Sequence, residues 1–331
     1  MTIKEAILDN EKDLIKDFLL SCDLNYENTI EESLYAIDDK SNIIGTISRE
    51  GNIIKCFAID KNYRQDGLSS SLISEMINRL YQNNINHFLV YTKKEYLIVF
   101  ESFGFKEIVS TDSVSILEYG IANINDVINN IRKNIENKFD INLDNEKINA
   151  IVLNGNPITN GHIYLIEEAL KTANYLVVFV LEEDKSFFTF KERLTLAYIS
   201  TLYLSNVIVI PSTEYIISNL TFPTYFLKEE NKRNYEWMKT DALIFKNYFM
   251  KNLNIMYRYL GEETDNVMML YNNVLKETLE DNCKIIPRLD NISGSYVRKL
   301  LKEGQIDKAI DYIPHQAKQM FKVIALGKNN E

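Results

Sequence analysis

Apolar positions along this chain keep two different rhythms. Between about residues 11 and 120, short apolar runs (LYAI, NIIGTIS, NIIKCFAID and HFLVYT) are mixed irregularly with amphipathic stretches. Glu11–Ser21 has the spacing of a helix, and the turn at Glu50–Asn52 joins NIIGTIS to NIIKCFAID as neighbouring strands. In DGLSSSLISEMINRLYQ, the residues Leu68, Leu72, Ile73, Met76, Ile77 and Leu80 fall on one helical face. EYLIVFESFGF predicts a short helix that Gly104 ends. This irregular mixture predicts an α+β unit.

Gly120–Asn149 changes character, being rich in Asn and charge, and predicts a helix followed by an exposed turn. Beyond it strands and helices alternate: INAIVL, a helix from His162, YLVVFVLE, a helix from Phe190, VIVIP, IMYRYLG, a helix over Val267–Leu279, KIIPRL and a helix from Ser295. That alternation predicts a Rossmann-like, doubly wound parallel sheet, so the fold class is α/β overall. The expected domains are 1–122, a linker over 123–147, and 148–331. Ligands of such sheets bind beyond the carboxyl ends of the strands.

Composition narrows the partners. The 331 residues carry a net charge of −10, which argues against a nucleic-acid partner, since affinity for phosphate backbones comes from clustered Lys and Arg. No run of about 18 apolar residues is present, so no membrane span is expected. The opening MTIKEAILDNEKDL lacks the apolar core of a signal peptide, and a cytoplasmic address is expected. The cysteines (Cys22, Cys56, Cys283) and histidines (His87, His162, His315) are scattered, a pattern of buried free thiols rather than of a metal centre.

One loop stands out. The strand INAIVL opens into Asn154-Gly155-Asn156-Pro157 and then Thr159-Asn160-Gly161-His162, small and polar and without an acidic group. Neither GxxxxGK[ST] nor GxGxxG occurs. The loop can nevertheless hold an anion: Gly155 and Gly161 admit close approach of backbone N–H groups, and a helix N-terminus adds partial positive charge. Thr159 and His162 supply side-chain donors.

The TNGH stretch resembles the signature of (H/T)xGH nucleotidyltransferases, and Ile292-Ser293-Gly294-Ser295-Tyr296-Val297-Arg298 resembles their second signature, ISxSxxR. Between the two, Asp184–Arg193 is similar to the segment in which a lysine, here Lys185, precedes an F-[ST]-x-x-x-R helix start. The resemblance implies an ATP site formed by Asn154, Gly155, Asn156, Thr159, Gly161, His162, Ser293, Ser295 and Arg298. His162, Lys185 and Arg298 would be its catalytic residues, with Mg²⁺ on the phosphates.

Over the whole chain, EYIISNLTFPTYFLKEE, TDALIF, NIMYRYLGEE, Tyr271-Asn272 and ISGSYVR together resemble the citrate lyase ligases. These are AMP-forming enzymes that load acetate onto the thiol prosthetic group of the acyl-carrier subunit of citrate lyase. Gly294 departs from their usual alanine, and the segment after GEE is less regular, which leaves open a related carrier. That family has an acetyltransferase-like (GNAT) domain in front. Here Arg64, Gly67 and Ser69 resemble its pyrophosphate loop and imply a site for a pantetheine or CoA-like group, with Ser69 where Gly or Ala is usual. TFPTYFLK could line an acyl or pantetheine pocket, although aromatic stretches are more often core. The rival readings are an adenylyltransferase acting on a phosphorylated metabolite such as phosphopantetheine, and an acetyl-CoA-dependent acetyltransferase.

Overall fold

The computed structural model describes residues 2–64, 67–217, 222, 225, 230–289 and 292–328. The chain forms two compact units, one of Met1–Val127 with Phe222–Thr240, the other of Ile128–Thr221 with Asp241–Glu331.

In chain order the first unit holds β1 (Thr2–Glu5), α1 (Asp9–Ser21), β2 (Glu32–Ile37), β3 (Ile43–Glu50), β4 (Ile53–Ile59), α2 (Leu68–Gln82), β5 (His87–Lys93), α3 (Leu97–Glu101), β6 (Lys106–Ser110) and β7 (Val114–Gly120). They build a seven-stranded sheet of order β1-β2-β3-β4-β5-β7-β6. All neighbours are antiparallel except β4 and β5, which run parallel and pair only at Ile53–Leu89 and Ile54–Val90. The predicted stripe of α2 is buried on this sheet, with Leu68, Leu72, Ile73, Met76 and Leu80 packed among Leu34, Ile47, Phe57 and Phe88. Burying side chains of this size contributes about 1.5–3 kcal/mol each, which makes the stripe the chief link between helix and sheet. Gly104 has φ +88 and turns the chain from α3 into β6.

After α4 (Ile124–Phe139) come β8 (Ile148–Leu153), α5 (Asn160–Leu170), β9 (Tyr175–Val180), α6 (Phe190–Thr201), β10 (Val207–Pro211) and α7 (Glu230–Ile244), which runs on into a π-helical turn, Phe245–Met250. β11 (Ile255–Gly261), α8 (Asn266–Leu279), β12 (Cys283–Ile286), α9 (Gly294–Lys302), α10 (Ile306–Ile310) and α11 (Lys318–Lys328) complete the order. The sheet of the second unit has the order β10-β9-β8-β11-β12, and every pair in it is parallel. The expected alternation is therefore present. α5 and α9 start slightly earlier than the apolar pattern predicts, at Asn160 and Gly294, because the cap residues Thr159 and Ser293 set the first turn.

Residue parity divides the two faces of this sheet. Ile151, Leu153, Val178, Val180 and Tyr259 pack with α5, α6, α9 and α11 through Ile166, Leu196, Val297 and Phe321. The opposite parity meets the π-helical turn, where the Phe179 ring stands edge-on to Phe245 and Phe249 at 6.3 and 5.5 Å. On that face Arg258 is fully buried. It donates to Asp241 at 3.1 Å and to the Tyr271 hydroxyl at 2.7 Å, and it lies 4.3 Å from the centroid of the Phe245 ring. Tyr271 donates in turn to Asp241 at 2.8 Å, closing a buried triangle from residues of TDALIF, YRYLG and the Tyr271-Asn272 pair. Asn272 donates to Gly261 O at 2.9 Å and fixes the carboxyl end of β11.

Candidate active site

In the second sheet, successive strands step outward from β8 through β9 to β10, and the chain then returns to β11 on the other side of β8. Strand order reverses at β8/β11, so the crevice beyond their carboxyl ends is where a ligand fits. The Asn154–His162 loop leaves β8 into that crevice.

Asn156 joins the three motif-bearing segments. Its side-chain Oδ1 accepts the Phe188 N–H at 3.0 Å, and its main-chain carbonyl accepts from Arg298 Nη1. Asn154 donates to Ser186 Oγ at 3.2 Å, and Ser186 donates to the Glu183 carboxylate. Gly155 has φ +59, a conformation that favours glycine, and a Cβ there would stand 2.8 Å from a Leu153 methyl. A Cβ on Gly161 would meet Ile292 O at 3.6 Å, which brings the first turn of α5 against the start of the ISGSYVR segment. A Cβ on Gly294 would lie 3.0 Å from Asn156 O and 3.4 Å from Arg298 Nη1. Glycine in place of the expected alanine leaves room for that carbonyl to reach the guanidinium.

His162 is both cap and donor. Thr159 is the N-cap of α5, with extended φ −130 and ψ 169, and His162 occupies the third helical position of a capping box. Its Nδ1 accepts the Thr159 N–H at 3.0 Å and lies 2.8 Å from Thr159 Oγ1. Because an N–H points at Nδ1, the neutral ring carries its proton on Nε2, and that N–H has no partner among the described residues. Burial, and then the Arg288 guanidinium, lower the pKa to about 4, so the imidazole is an uncharged donor at neutral pH.

At the start of α9, Ser293 Oγ accepts the Tyr296 N–H at 3.1 Å as N-cap, while Ser295 Oγ accepts from Arg298 Nη2 at 3.1 Å. Arg298 is partly buried, and desolvation lowers its pKa. Lys185 is exposed, with its N–H held by the Glu183 carboxylate at 2.7 Å. Asn154, Gly155, Asn156, Thr159, Gly161, His162, Ser293, Ser295 and Arg298 thus gather at one sheet edge, and Lys185 stands on the adjoining loop.

Two residues at this edge are given no role by the motifs, although Arg193 itself closes the F-[ST]-x-x-x-R helix start. Arg193 is fully buried and ties the loops together. It donates to Asn154 O at 2.8 Å, Leu181 O at 2.9 Å and Phe188 O at 3.1 Å, and also to Glu183 O. Beyond the motif, the available signal is its place in the stripe Arg193, Leu196, Ala197, Ser200, all buried. Arg288, just past β12, is the other.

In the first unit Arg64 is exposed and donates to the Tyr96 hydroxyl at 3.3 Å. Gly67 caps α2 with φ +69, and Ser69 lies in its first turn. Residues 65–66 between them lie outside the described residues, as does most of TFPTYFLK. Of that stretch, Phe222 and Tyr225 are buried in the first unit. The Tyr225 hydroxyl donates to Tyr91 O on β5 and accepts from the Cys56 N–H on β4, bridging the two parallel strands past the point where they pair.

Residues 148–321 match the family description "Citrate lyase ligase C-terminal domain", and residues 11–117 match "Acetyltransferase (GNAT) domain". The chain is 32% identical over 313 residues to the [citrate [pro-3S]-lyase] ligase of Escherichia coli (strain K12), covering 91% of this chain and 87% of that protein. It is 32% identical to the protein of the same name from Haemophilus influenzae, covering 91% and 92%. Against that of Klebsiella pneumoniae the identity is 29%, covering 81% and 77%. The chain belongs to the citrate lyase ligase family of enzymes.

Proposed function

We propose that the carboxyl-edge site of the second unit binds ATP with its Mg²⁺ and joins AMP to acetate. The acetyl group then passes, with AMP leaving, to the thiol of the prosthetic group on the acyl-carrier subunit of citrate lyase. The observation that carries this reading is Asn156, which ties together the three segments that bear His162, Lys185 and Arg298.

Acetate, like the carboxylic acids that titrate at about 4, is already ionised at neutral pH, so its attack on the α-phosphorus needs no general base. The site fits that demand. It offers the N-termini of α5 and α9, the neutral His162 Nε2–H, hydroxyls and cations to the oxygens on which charge develops. Arg298 and Lys185 are the residues we assign to the leaving pyrophosphate. Among the described residues no three His, Cys, Asp or Glu gather in reach of one metal ion, and the phosphates themselves would carry the Mg²⁺. We assign Arg64, Gly67 and Ser69 of the first unit to the phosphate end of the carrier's pantetheine arm. Residues 1–122 and 148–331 would be the two working domains. No helix among the described residues is long and apolar enough to cross a membrane. A cytoplasmic address goes with the use of ATP and acetate.

Acetate-dependent exchange of label between pyrophosphate and ATP, with no carrier present, tests the first step. Exchange that responds to phosphopantetheine and ignores acetate would favour adenylyl transfer to a phosphorylated metabolite instead.

A further inference from the structure

Arg288 follows β12 by two residues and sits at the same sheet edge as the site. Three groups beyond β11 hold its guanidinium. Nε donates to Glu262 O at 3.0 Å, Nη1 to Thr264 Oγ1 at 3.3 Å, and Nη2 to the Glu263 carboxylate at 2.9 Å. About a third of the side chain remains open to solvent, at 32% relative exposure. Ile292, four residues on, brings its carbonyl against Gly161, so this part of the chain closes on the first turn of α5. The guanidinium is near enough to His162 to lower its proton affinity. A cation just past β12 and the uncharged N–H donor of His162 therefore lie at the same carboxyl edge of the sheet.

We propose that Arg288 is a further ATP-binding residue of this site, its guanidinium turning from Glu263 to the triphosphate oxygens beside His162 when the nucleotide enters. The inference rests on the ATP reading given above.

The exchange is chemically reasonable on both sides. A planar guanidinium pairs with phosphate through two parallel hydrogen bonds, and a triphosphate carries several times the charge of one carboxylate. Glu263 can also tolerate losing its partner. Burial raises the pKa of its carboxyl group, so once the guanidinium leaves, uptake of a proton is comparatively easy. Until then the bonds of Nε to Glu262 O and of Nη1 to Thr264 Oγ1 keep the guanidinium at the edge.

The test compares binding of Mg·ATP to the full chain and to the Arg288→Gln and Arg288→Lys variants by calorimetry, with thermal melts to check folding. Loss of the charge should weaken ATP binding on the order of tenfold or more, and lysine should recover part of it. The KM for acetate should stay within about twofold. The His162 titration, followed by NMR, should move to higher pH in Arg288→Gln, a shift that a purely structural arginine remote from the ring would not give. ATP binding in Arg288→Gln within about twofold of wild type overturns the assignment. So does equal loss in both variants with a parallel loss for acetate, which would mark a structural arginine. A wild type that binds no ATP sinks the ATP reading itself, whereas the first two outcomes leave that reading intact.

Discussion

Arg298 donates from Nη1 to the main-chain carbonyl of Asn156, across 142 residues of sequence, and so fixes the loop after β8 to the helix that begins at Gly294. The same guanidinium reaches Ser295 Oγ at 3.1 Å. It therefore does two things, holding the loop and placing positive charge at the N-terminus of α9. Arg298→Ala should lower kcat/KM for ATP by on the order of 10²-fold or more, as expected when a preorganised charge is lost. Arg298→Lys should recover little, because one ammonium cannot hold Asn156 and Ser295 in the guanidinium's planar geometry. Steady-state kinetics of pyrophosphate release checks both.

His162 makes a prediction about pH. With a pKa lowered to about 4, the ring is neutral across the working range, and pyrophosphate release should show no titration with a midpoint near 6.5. A midpoint there that vanished in His162→Ala would contradict the neutral-donor role. His162→Ala itself should cost on the order of 10²-fold in rate. Stability should follow the opposite limb. Since the folded-state pKa lies below the ordinary 6.5, the neutral ring's contribution is complete above that pH. As pH falls from 6.5 towards 4, the unfolded chain takes up the proton first and the contribution is lost. Melting temperature against pH, for wild type and His162→Asn, reads this directly, and the variant's curve should be flatter over that interval.

Arg193 is expected to matter for folding before it matters for rate. Its removal takes the side-chain donor from the carbonyls of Asn154, Leu181, Glu183 and Phe188 and the counter-charge from the buried Glu183 carboxylate 3.5 Å away, at a cost of about 3 kcal/mol or more. Urea denaturation of Arg193→Met should show this as a fall in midpoint with little change in slope. Lysine should not restore it.

The triangle of Asp241, Arg258 and Tyr271 gives a graded series. Asp241→Asn leaves a fully buried guanidinium without its counter-charge and should cost about 3–5 kcal/mol. Tyr271→Phe removes one shared hydroxyl and should cost about 1–3 kcal/mol. Equal losses, measured by the same denaturation, would mean that the charge pair carries no special weight.

How far the chain could be read in advance divides along a physical line. The strands and helices of the second unit were legible because both faces of a parallel sheet are buried, giving continuous apolar runs such as INAIVL and YLVVFV. The TNGH and ISGSYVR motifs were legible because capping is local: Thr159 with His162, and Ser293 with Tyr296, need only three residues each. The burial and partners of Arg193, itself the arginine of the F-[ST]-x-x-x-R motif, and of Arg258 were not, since a buried arginine is spelled like a solvated one and its carbonyl or carboxylate partners lie elsewhere in the sequence. Nor was the grouping of Phe222–Thr240 with the first unit, which rests on contacts such as Tyr225 with Tyr91 across 134 residues. Gly294 falls between the two. It could be seen as a departure from the family's alanine, but its reason, the carbonyl of Asn156 at 3.0 Å from a Cβ, belongs to the fold.

The central claim, that ATP drives acetate onto a carrier thiol, is tested most directly with purified protein, ATP, Mg²⁺, radiolabelled acetate and the deacetylated acyl-carrier subunit of citrate lyase. The account predicts AMP and pyrophosphate in step with label on the carrier, and no labelling when ATP is left out. Label that reaches the carrier from acetyl-CoA alone, with no need for ATP, would contradict it.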